Sequence, residues 1–292
     1  CDYMLNENDV LHNHRFPDVV AYGGWHIDNH VPGGLYTADK VPSFVYEFRG
    51  SYDIPYRSYL VKGKTNLYAG GRCMGASKLG MASSRVMGTC AIGGQAIGTA
   101  AALCLKGDGD IRHVDVEALQ QTLLRDDCYL PLHENTDPLD LARGGKVTAS
   151  SQQADYPAAD ILSGVTRRVE GVHNEWRSDG LSGNGEWVRL DLPRTGRIHR
   201  VQVTFDSNFD LEKKITLSSR RQQQQEIGVP KELVKDYDVE LLLGGKVVAT
   251  EQRRDNFQRL CRIDFNGVEC DAVGVTVKAV NGISEARVFE IR

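Results

Sequence analysis

Residues 66–106 are the most informative part of the sequence for the fold. Their pattern predicts a short apolar strand, a loop of glycine, serine and arginine, and a helix. Within residues 90–105 only one glutamine and one threonine are distinctly polar, so the sequence predicts a helix buried on nearly all sides. Glycine inside a helix costs about 1 kcal/mol relative to alanine. Gly93, Gly94 and Gly98 therefore indicate that something packs closely against this backbone.

Residues 86–105 are also about long enough to cross a membrane, and they contain a G-x-x-x-G pattern. Four glycines, two threonines and a glutamine make this run poorly lipophilic, and no aromatic belt flanks it. We therefore interpret it as a buried helix of a soluble protein and predict no membrane span.

Three short motifs in this region occur in a specific order. A-G-G-R-C at residues 69–73 is followed by S-R-V-M-G-T-C at residues 84–90 and by G-Q-A-I-G-T-A-A-A-L at residues 94–103. In this order they resemble the C-terminal, flavin-contacting segment of bacterial FAD-dependent oxidoreductases of the glutathione-reductase-like class. The resemblance covers roughly residues 1–127, and Gly88 stands where members of this group often have proline.

The resemblance implies FAD as the cofactor. The start of the helix would face the pyrimidine edge of the flavin, because the partial positive charge of a helix N terminus stabilises the anionic reduced ring. The cofactor contacts predicted in this way are Gly71, Arg72, Arg85, Thr89, Cys90, Gly94 and Gln95.

Residues 25–30 read W-H-I-D-N-H, and an extended backbone would place His26, Asp28 and His30 on one face. A divalent metal site, a structural role and a substrate site are the three interpretations. No further ligand cluster supports the metal. The flavoenzyme resemblance favours the substrate site, since related sequences carry a G-G-W-x-x-D-x-H-like element. We predict His30 as the catalytic base, Asp28 as its orienting partner, His26 as a further catalytic residue, and no metal.

Residues 44–49 and 52–57 alternate like strands on either side of a glycine-serine turn and predict a substrate-side hairpin. The motif Y-D-I-P-Y-R in the second of these runs also resembles the flavoenzyme group. We predict substrate contacts from Trp25, Tyr56 and Arg57. The alternative for the last two is packing at a sheet edge.

A G-x-G-x-x-G turn, which holds the FAD pyrophosphate in this class, occurs nowhere in the sequence. We therefore expect a fragment: the C-terminal part of a flavin enzyme, missing the N-terminal FAD-binding portion and binding FAD weakly or not at all by itself. The first residue is Cys1 and no leader follows, so the localisation stays open between a secreted or periplasmic and a cytoplasmic bacterial protein.

Composition limits the class of protein. The 292 residues are 41% hydrophobic and 25% charged, which suits a globular chain of two domains. A net charge of −4 provides no basic field for nucleic acid. Seven cysteines without a C-x-x-C favour small apolar thiols over a disulfide framework, although Cys261 and Cys270 could pair across neighbouring strands.

A helix at residues 115–124 is predicted to close the first domain, residues 1–127, and residues 128–142 read as a linker. From residue 143 the sequence pattern changes to short runs of alternating apolar and polar residues, which are typical of strands and predict an antiparallel sandwich or jelly roll. The predicted strands are residues 146–150, 186–192, 197–205, 214–218, 237–243, 246–251, 258–265, 272–279 and 286–291.

This second half, residues 143–292, resembles a discoidin-like (factor 5/8 C-type) domain. The resemblance is carried by W-R-S at residues 176–178, E-W-V-R-L-D-L at residues 186–192 and A-R-V-F-E-I at residues 286–291. Such domains often bind carbohydrate through loops at one end. The candidate contacts are Trp176, Arg177, Arg220 and Arg221. The alternative is that Trp176 and Trp187 fill the core.

The predicted fold class is thus α+β: a partial FAD-dependent oxidoreductase region, with a mixed sheet and a buried helix, followed by an all-β discoidin-like sandwich. The predicted activity of the intact enzyme is hydride transfer from a hydroxyl-bearing small molecule, such as a sugar derivative, to FAD. The alternative is a carbohydrate-binding or adhesion module whose first half is a non-catalytic scaffold.

Overall fold

A computed structural model of the chain describes residues 1–211 and 216–292. The chain divides into two compact units, Cys1–His133 and Glu134–Arg292, and each has its own hydrophobic core. The strand predicted at residues 214–218 lies partly outside the described residues.

The first and last helices of the first unit begin at side-chain caps. The side chain of Asn6 accepts hydrogen bonds from the first turn of the first helix, and Asp115 does the same for the last one. The last helix buries Leu119 and Leu123 on one side, so the amphipathic helix predicted there is confirmed. The helices are α1 (Glu7–Leu11), α2 (Lys78–Ser84), α3 (Met87–Cys104) and α4 (Val116–Arg125).

Helix α3 is buried along one side only. Its inner side is formed by small residues: Thr89, Gly93, Ala96, Ala100 and Cys104. Its outer side, which includes Met87, Gly94, Gly98 and Ala102, is exposed. The prediction of burial on nearly all sides is therefore wrong, because neighbouring elements of the unit cover a single face. By length and composition α3 could cross a membrane, but this is weak evidence, since core helices of soluble proteins pass the same test.

The strands of the first unit form two small antiparallel sheets. In one, β1 (Val19–Gly23) pairs with the later strand Tyr52–Pro55; in the other, β2 (Ile27–His30) pairs with β3 (Ser43–Tyr46). We number Tyr52–Pro55 β4. The predicted hairpin of residues 44–49 with 52–57 is therefore wrong, because alternation identifies a strand but not its partner. The strand predicted at residues 67–69 is reduced to one bridge between Leu60 and Tyr68.

The second unit is an antiparallel β-sandwich. The strands are β5 (Lys146–Ala149), β6 (Trp176–Arg177), β7 (Glu186–Phe205), β8 (Val234–Leu243), β9 (Lys246–Arg253), β10 (Leu260–Val280) and β11 (Arg287–Ile291), and a short helix α5 spans Ser219–Gln223. The sheet order is β6-β11-β7-β10-β8-β9, with β5 paired to β7.

Strands β7 and β10 are long: β7 contains two of the predicted strands, and β10 contains the one at residues 272–279 and most of the one at residues 258–265. Their pairing shifts register between Asp264 and Val268, and again between Cys270 and Ala272. Such bulges bend a strand, so one strand can serve both layers of a sandwich. The core between the layers includes Trp176, Val188, Phe205, Val239, Ile263, Val275 and Val288. Cys261 and Cys270 are free and lie on the same strand, so the suggested cross-strand disulfide is not formed.

Candidate active site around Asp28 and His30

Strand β2 presents Asp28 and His30 on one face, because residues two apart in a strand point the same way. Ile27, between Trp25 and this pair in the chain, is fully buried and anchors the strand to the core. The His30 Nε2 atom lies 2.9 Å from Asp28 Oδ2. The imidazole is exposed while the carboxylate is half-buried, so the ring can be reached from solvent.

A guanidinium also reaches Asp28. Arg85 caps the C-terminal end of α2, and its Nη2 donates to the Asp28 carbonyl oxygen (3.1 Å) and to Oδ2 (3.2 Å). Arg72 Nε in turn donates to the Arg85 carbonyl oxygen (3.2 Å). The structure therefore brings Asp28, His30, Arg85 and Arg72 together, although the two arginines were predicted as cofactor contacts rather than as partners of Asp28.

The surroundings of Asp28 favour its ionised form. Burial by itself would raise the pKa of this carboxyl group, but hydrogen bonds from Ser43 and His30, together with the charge of Arg85, hold the pKa below its ordinary value. Asp28 is consequently a carboxylate at neutral pH, and a carboxylate can only accept hydrogen bonds.

A buried hydroxyl pair fixes the entry to β2. Ser83 Oγ donates to the Trp25 carbonyl oxygen (2.5 Å), so the Tyr52 hydroxyl must donate to Ser83 Oγ (2.7 Å). Sequence reasoning missed both Ser83 and Ser43. Their only signal is a hydroxyl at a position that the fold brings near β2, and a serine of this kind has no distinguishing local pattern.

His26 does not join the Asp28–His30 pair. It precedes β2, and its ring lies against that of Trp25, with the two centroids 4.3 Å apart. Trp25 is 44% exposed. Of the three ionisable residues predicted to share one face, strand β2 therefore contains two, Asp28 and His30. The exposed ring of Trp25 lies just before the strand.

Tyr56 and Arg57 already have partners within the first unit. Tyr56 is buried, and its hydroxyl donates to the Ile111 carbonyl oxygen (2.7 Å) and lies 2.5 Å from the Tyr68 hydroxyl. Burial raises the pKa of Tyr56. Arg57 donates through Nε and Nη2 to the Asp18 carboxylate, at 2.8 and 3.0 Å. These contacts fit the alternative prediction for Tyr56 and Arg57, which was packing within the fold rather than contact with a substrate.

The start of α3 is open. Val86 at the N-cap provides no side-chain cap, and Met87 and Gly88 in the first turn are exposed, so no side chain caps the first-turn N–H groups from the N-cap position. Thr89 is buried, and Cys90 Sγ approaches the Ser84 carbonyl oxygen at 3.7 Å.

The other predicted cofactor contacts are exposed in the case of Gly94 and Gln95 and half-buried in the case of Gly71. Gly94 and Gln95 are on the exposed side of α3, and a Cβ added to Gly94 would meet nothing within 4 Å. Gly71 begins a short 3-10 helix with a φ of 58°. Within the described part of the chain, no group of three histidine, cysteine or carboxylate residues is arranged to hold a metal ion.

The carbohydrate contacts predicted for the second unit separate in the structure. Trp176 is fully buried, and its indole N–H donates to the Ser151 carbonyl oxygen (2.9 Å). Trp176 therefore fills the core, which was the predicted alternative to a carbohydrate contact. Arg177 lies over the Tyr156 ring, with 3.7 Å to the centroid, and is paired with Glu175. Arg220 and Arg221 lie on the exposed helix α5.

Phe209 is an exposed aromatic residue of the second unit that sequence reasoning missed. It is 57% exposed and follows β7. Two guanidinium groups lie against its ring, those of Arg259 (4.4 Å to the centroid) and Arg167 (5.1 Å). These contacts hold a large apolar ring in place at the surface.

Comparison with known proteins gives different results for the two units. Residues 1–123 match the family model described as FAD dependent oxidoreductase. No curated protein matches this chain in sequence.

Several solved structures are similar to about half of the chain. The lectin domain of lectinolysin, complexed with Lewis B antigen, is 18% identical, with 53% of this chain and 95% of that chain covered and a TM-score of 0.40. The family 32 carbohydrate-binding module from Streptococcus pneumoniae EndoD is 14% identical, with 52% and 95% covered and a TM-score of 0.39. The family 32 module from C. perfringens NanJ, in complex with galactose, is 14% identical, with 50% and 90% covered and a TM-score of 0.35.

Residues 1–123 therefore match the family pattern of FAD dependent oxidoreductases, and they are followed by a separate antiparallel β-sandwich.

Proposed function

We propose that the first unit forms the substrate side of an FAD-dependent oxidoreductase acting on a hydroxyl-bearing small molecule. FAD, when bound, supplies the acceptor for a hydride from the carbon that carries the hydroxyl group. His30 removes the hydroxyl proton, and Asp28 orients the imidazole. The observation that supports this role is the exposed His30 ring, 2.9 Å from an ionised carboxylate.

The residues around the start of α3 are compatible with a flavin. First-turn N–H groups without a side-chain cap provide donors and partial positive charge for an electron-rich ring edge. The exposed side of α3 carries Gly94 and Gly98, and a Cβ at either position would meet nothing within 4 Å, so a flat group could approach this backbone. We propose Gly71, Arg72, Thr89, Cys90, Gly94 and Gln95 as the residues that would hold it.

The test of the base is anaerobic flavin reduction in FAD-loaded protein, prepared by supplying the FAD-binding portion expected for this class of enzyme. Because a positioned base contributes about 10²–10⁴-fold to the rate, His30→Ala should slow reduction by a factor in that range. The matched control is His113→Ala, since His113 is another exposed histidine paired with a carboxylate, 2.7 Å from Asp108. Unchanged reduction in His30→Ala with every hydroxyl substrate tried would remove the assignment of His30.

For the second unit we propose carbohydrate binding, with the stacking surface at Phe209. Aromatic rings held rigidly at a surface contribute a large apolar contact area. The exposed Phe209 ring, braced by Arg167 and Arg259, is such a surface. Neighbouring solved structures carry Lewis B antigen or galactose, which are therefore the first probes.

Phe209→Ala should weaken binding of the whole chain to these glycans at least tenfold, as expected for loss of an aromatic contact of about 1.4 kcal/mol or more. Phe257→Ala is the control, because Phe257 is also an exposed phenylalanine of the second unit. Equal losses in both variants, measured by titration calorimetry, would place the glycan contact elsewhere. A colourless protein with glycan affinity would favour this second function over the oxidoreductase.

A further inference from the structure

Asp28 is surrounded by donors from three parts of the first unit. His30 Nε2 is two residues away on the same strand, Arg85 comes from the end of α2, and Ser43 comes from the paired strand β3. Ser43 is the register partner of His30, so its side chain shares a face with Asp28 and His30. A single carboxylate thus organises groups that are far apart in the sequence.

The donor and acceptor roles at this carboxylate are fixed by its charge. An ionised carboxylate has no proton to donate, so a ring nitrogen within hydrogen-bond distance must carry the proton. Nε2 is the nitrogen that faces Asp28 Oδ2. In the neutral imidazole only one nitrogen is protonated, and the other, Nδ1, is then left with its lone pair.

We propose, on the basis of the proposed oxidoreductase function, that His30 is held as the Nε2–H tautomer with Nδ1 as the atom that accepts the substrate proton, and that Arg85 is the positioning residue that holds Asp28 for this purpose. His30 stays the catalytic residue. Arg85 acts through Asp28.

Arg85 suits the positioning role because it grips both the backbone and the side chain of Asp28. Its Nη2 bonds the carbonyl oxygen and Oδ2 of the same residue, which fixes the rotation of the carboxylate relative to the strand. Arg72 Nε donates to the Arg85 carbonyl oxygen, which links Arg85 to the short 3-10 helix that begins at Gly71. Methionine at position 85 would keep the aliphatic stem and remove both donated bonds.

The test uses nitrogen NMR of the whole chain labelled with 15N-histidine, at mildly alkaline pH and without FAD or substrate. His30 should show a protonated, pyrrole-type Nε2 and a pyridine-type Nδ1. His113 is the internal reference, because its Nδ1 lies 2.7 Å from the Asp108 carboxylate and the same argument gives it the opposite tautomer. A protonated Nδ1 on His30 would overturn the proposal.

Two variants test the positioning. Asp28→Ala and Arg85→Met should both convert the His30 signals toward a mixture of tautomers and leave those of His113 unchanged. In FAD-loaded protein Arg85→Met should slow flavin reduction by about 100-fold, the cost of a small misplacement of a reacting group. His30 signals unaltered in Arg85→Met would refute the role of Arg85.

The NMR measurement of the His30 tautomer and the assay of flavin reduction test two different claims, so one can fail while the other holds. The NMR result needs neither cofactor nor turnover, so the expected tautomer together with unchanged reduction in His30→Ala would refute the oxidoreductase role while leaving the assignment of the ring nitrogens in place. The reverse combination would keep His30 as the base and refute Nδ1 as the accepting atom.

Discussion

Glu186 is a buried carboxylate whose charge is stabilised by hydroxyl donors. It is 8% exposed and accepts hydrogen bonds from Ser150 Oγ (2.6 Å) and Ser151 Oγ (2.8 Å). Burial acts to raise its pKa, but the serine hydrogen bonds outweigh burial and hold the pKa below the ordinary value of 4.5. Folding of the second unit therefore stabilises the ionised form of the Glu186 side chain relative to the protonated form.

This pKa shift predicts a pH dependence. A carboxyl group whose pKa is lowered by folding stabilises the protein above its unfolded pKa, and this stabilisation is lost as the pH falls through the folded value. Glu186→Gln should therefore lower the free energy of unfolding by about 1–3 kcal/mol at neutral pH. The difference from wild type should shrink at acidic pH. Urea unfolding at both pH values measures this, and an equal difference at both would contradict it.

Arg168 pairs with two buried carboxylates, Glu175 at 2.9 Å and Asp206 at 2.5 Å. Arg168→Met would leave one arginine for each carboxylate, Arg177 for Glu175 and Arg287 for Asp206. The loss should therefore approach, without exceeding, the cost of about 3–5 kcal/mol for breaking a whole buried pair. Arg200→Met is the control, because Arg200 and Asp264 form an exposed pair worth about 0–1 kcal/mol. Denaturant unfolding of both variants measures the contrast. Similar losses would show that Arg168 is not a buried anchor.

The glycines of helix α3 differ in the space available for a side chain, depending on whether they lie on the buried or the exposed side of the helix. A Cβ at Gly93 would lie 2.3 Å from the hydroxyl of Tyr59, which is itself buried. A Cβ at Gly98 would meet nothing within 4 Å. The inner glycine is thus required by packing within the first unit, and the outer one is not.

Matched alanine substitutions on α3 should therefore have opposite signs. Gly98→Ala should raise the free energy of unfolding of the first unit by up to about 1 kcal/mol, the helix propensity difference. Gly93→Ala should lower it by about 1–3 kcal/mol, because overpacking forces Tyr59 to move. Hydrogen exchange across residues 87–104 reports both changes. A stabilising Gly93→Ala would mean that Tyr59 has free space to retreat.

Local sequence patterns identified elements better than they identified neighbours. The helix α4 follows from its apolar spacing and its Asp115 cap, both contained within about ten residues. The partners of β3 and β4 are set by contacts between separate segments, and no periodicity encodes them. The burial of α3 likewise depends on what surrounds the helix and not on its own composition.

The same distinction applies to the candidate site. Asp28 and His30 could be predicted as a pair because the two-residue spacing of a strand is local. The grip of Arg85 on Asp28 spans 57 residues of sequence, and it exists because α2 ends beside β2. Ser43 and Ser83 were missed for the same reason.

At the scale of the whole molecule, the two cores are built from separate sets of side chains. Leu119 is fully buried in the first core and Leu241 in the second. A leucine-to-alanine change in a core costs about 2–5 kcal/mol. Because chains with several domains commonly depart from two-state unfolding, that cost need not spread to the other unit.

Leu241→Ala should increase amide hydrogen exchange within residues 134–292 and leave residues 1–133 unchanged, whereas Leu119→Ala should do the reverse. Exchange measured by mass spectrometry on peptides from both units checks the pair. Increased exchange in both units from either substitution would show that the two units unfold together.

The position of β11 has a consequence for the order in which the second unit can fold. Strand β11 lies between β6 and β7, and it pairs Val288 with Phe205 and Ile291 with Val203. During synthesis the C-terminal part of β7, which includes Val203 and Phe205, leaves the ribosome some eighty residues before this partner does, so the edge that β11 will cover is unpaired throughout that interval. Unpaired edges invite pairing with other chains. The nascent sandwich is therefore most exposed to aggregation until its last strand has been translated.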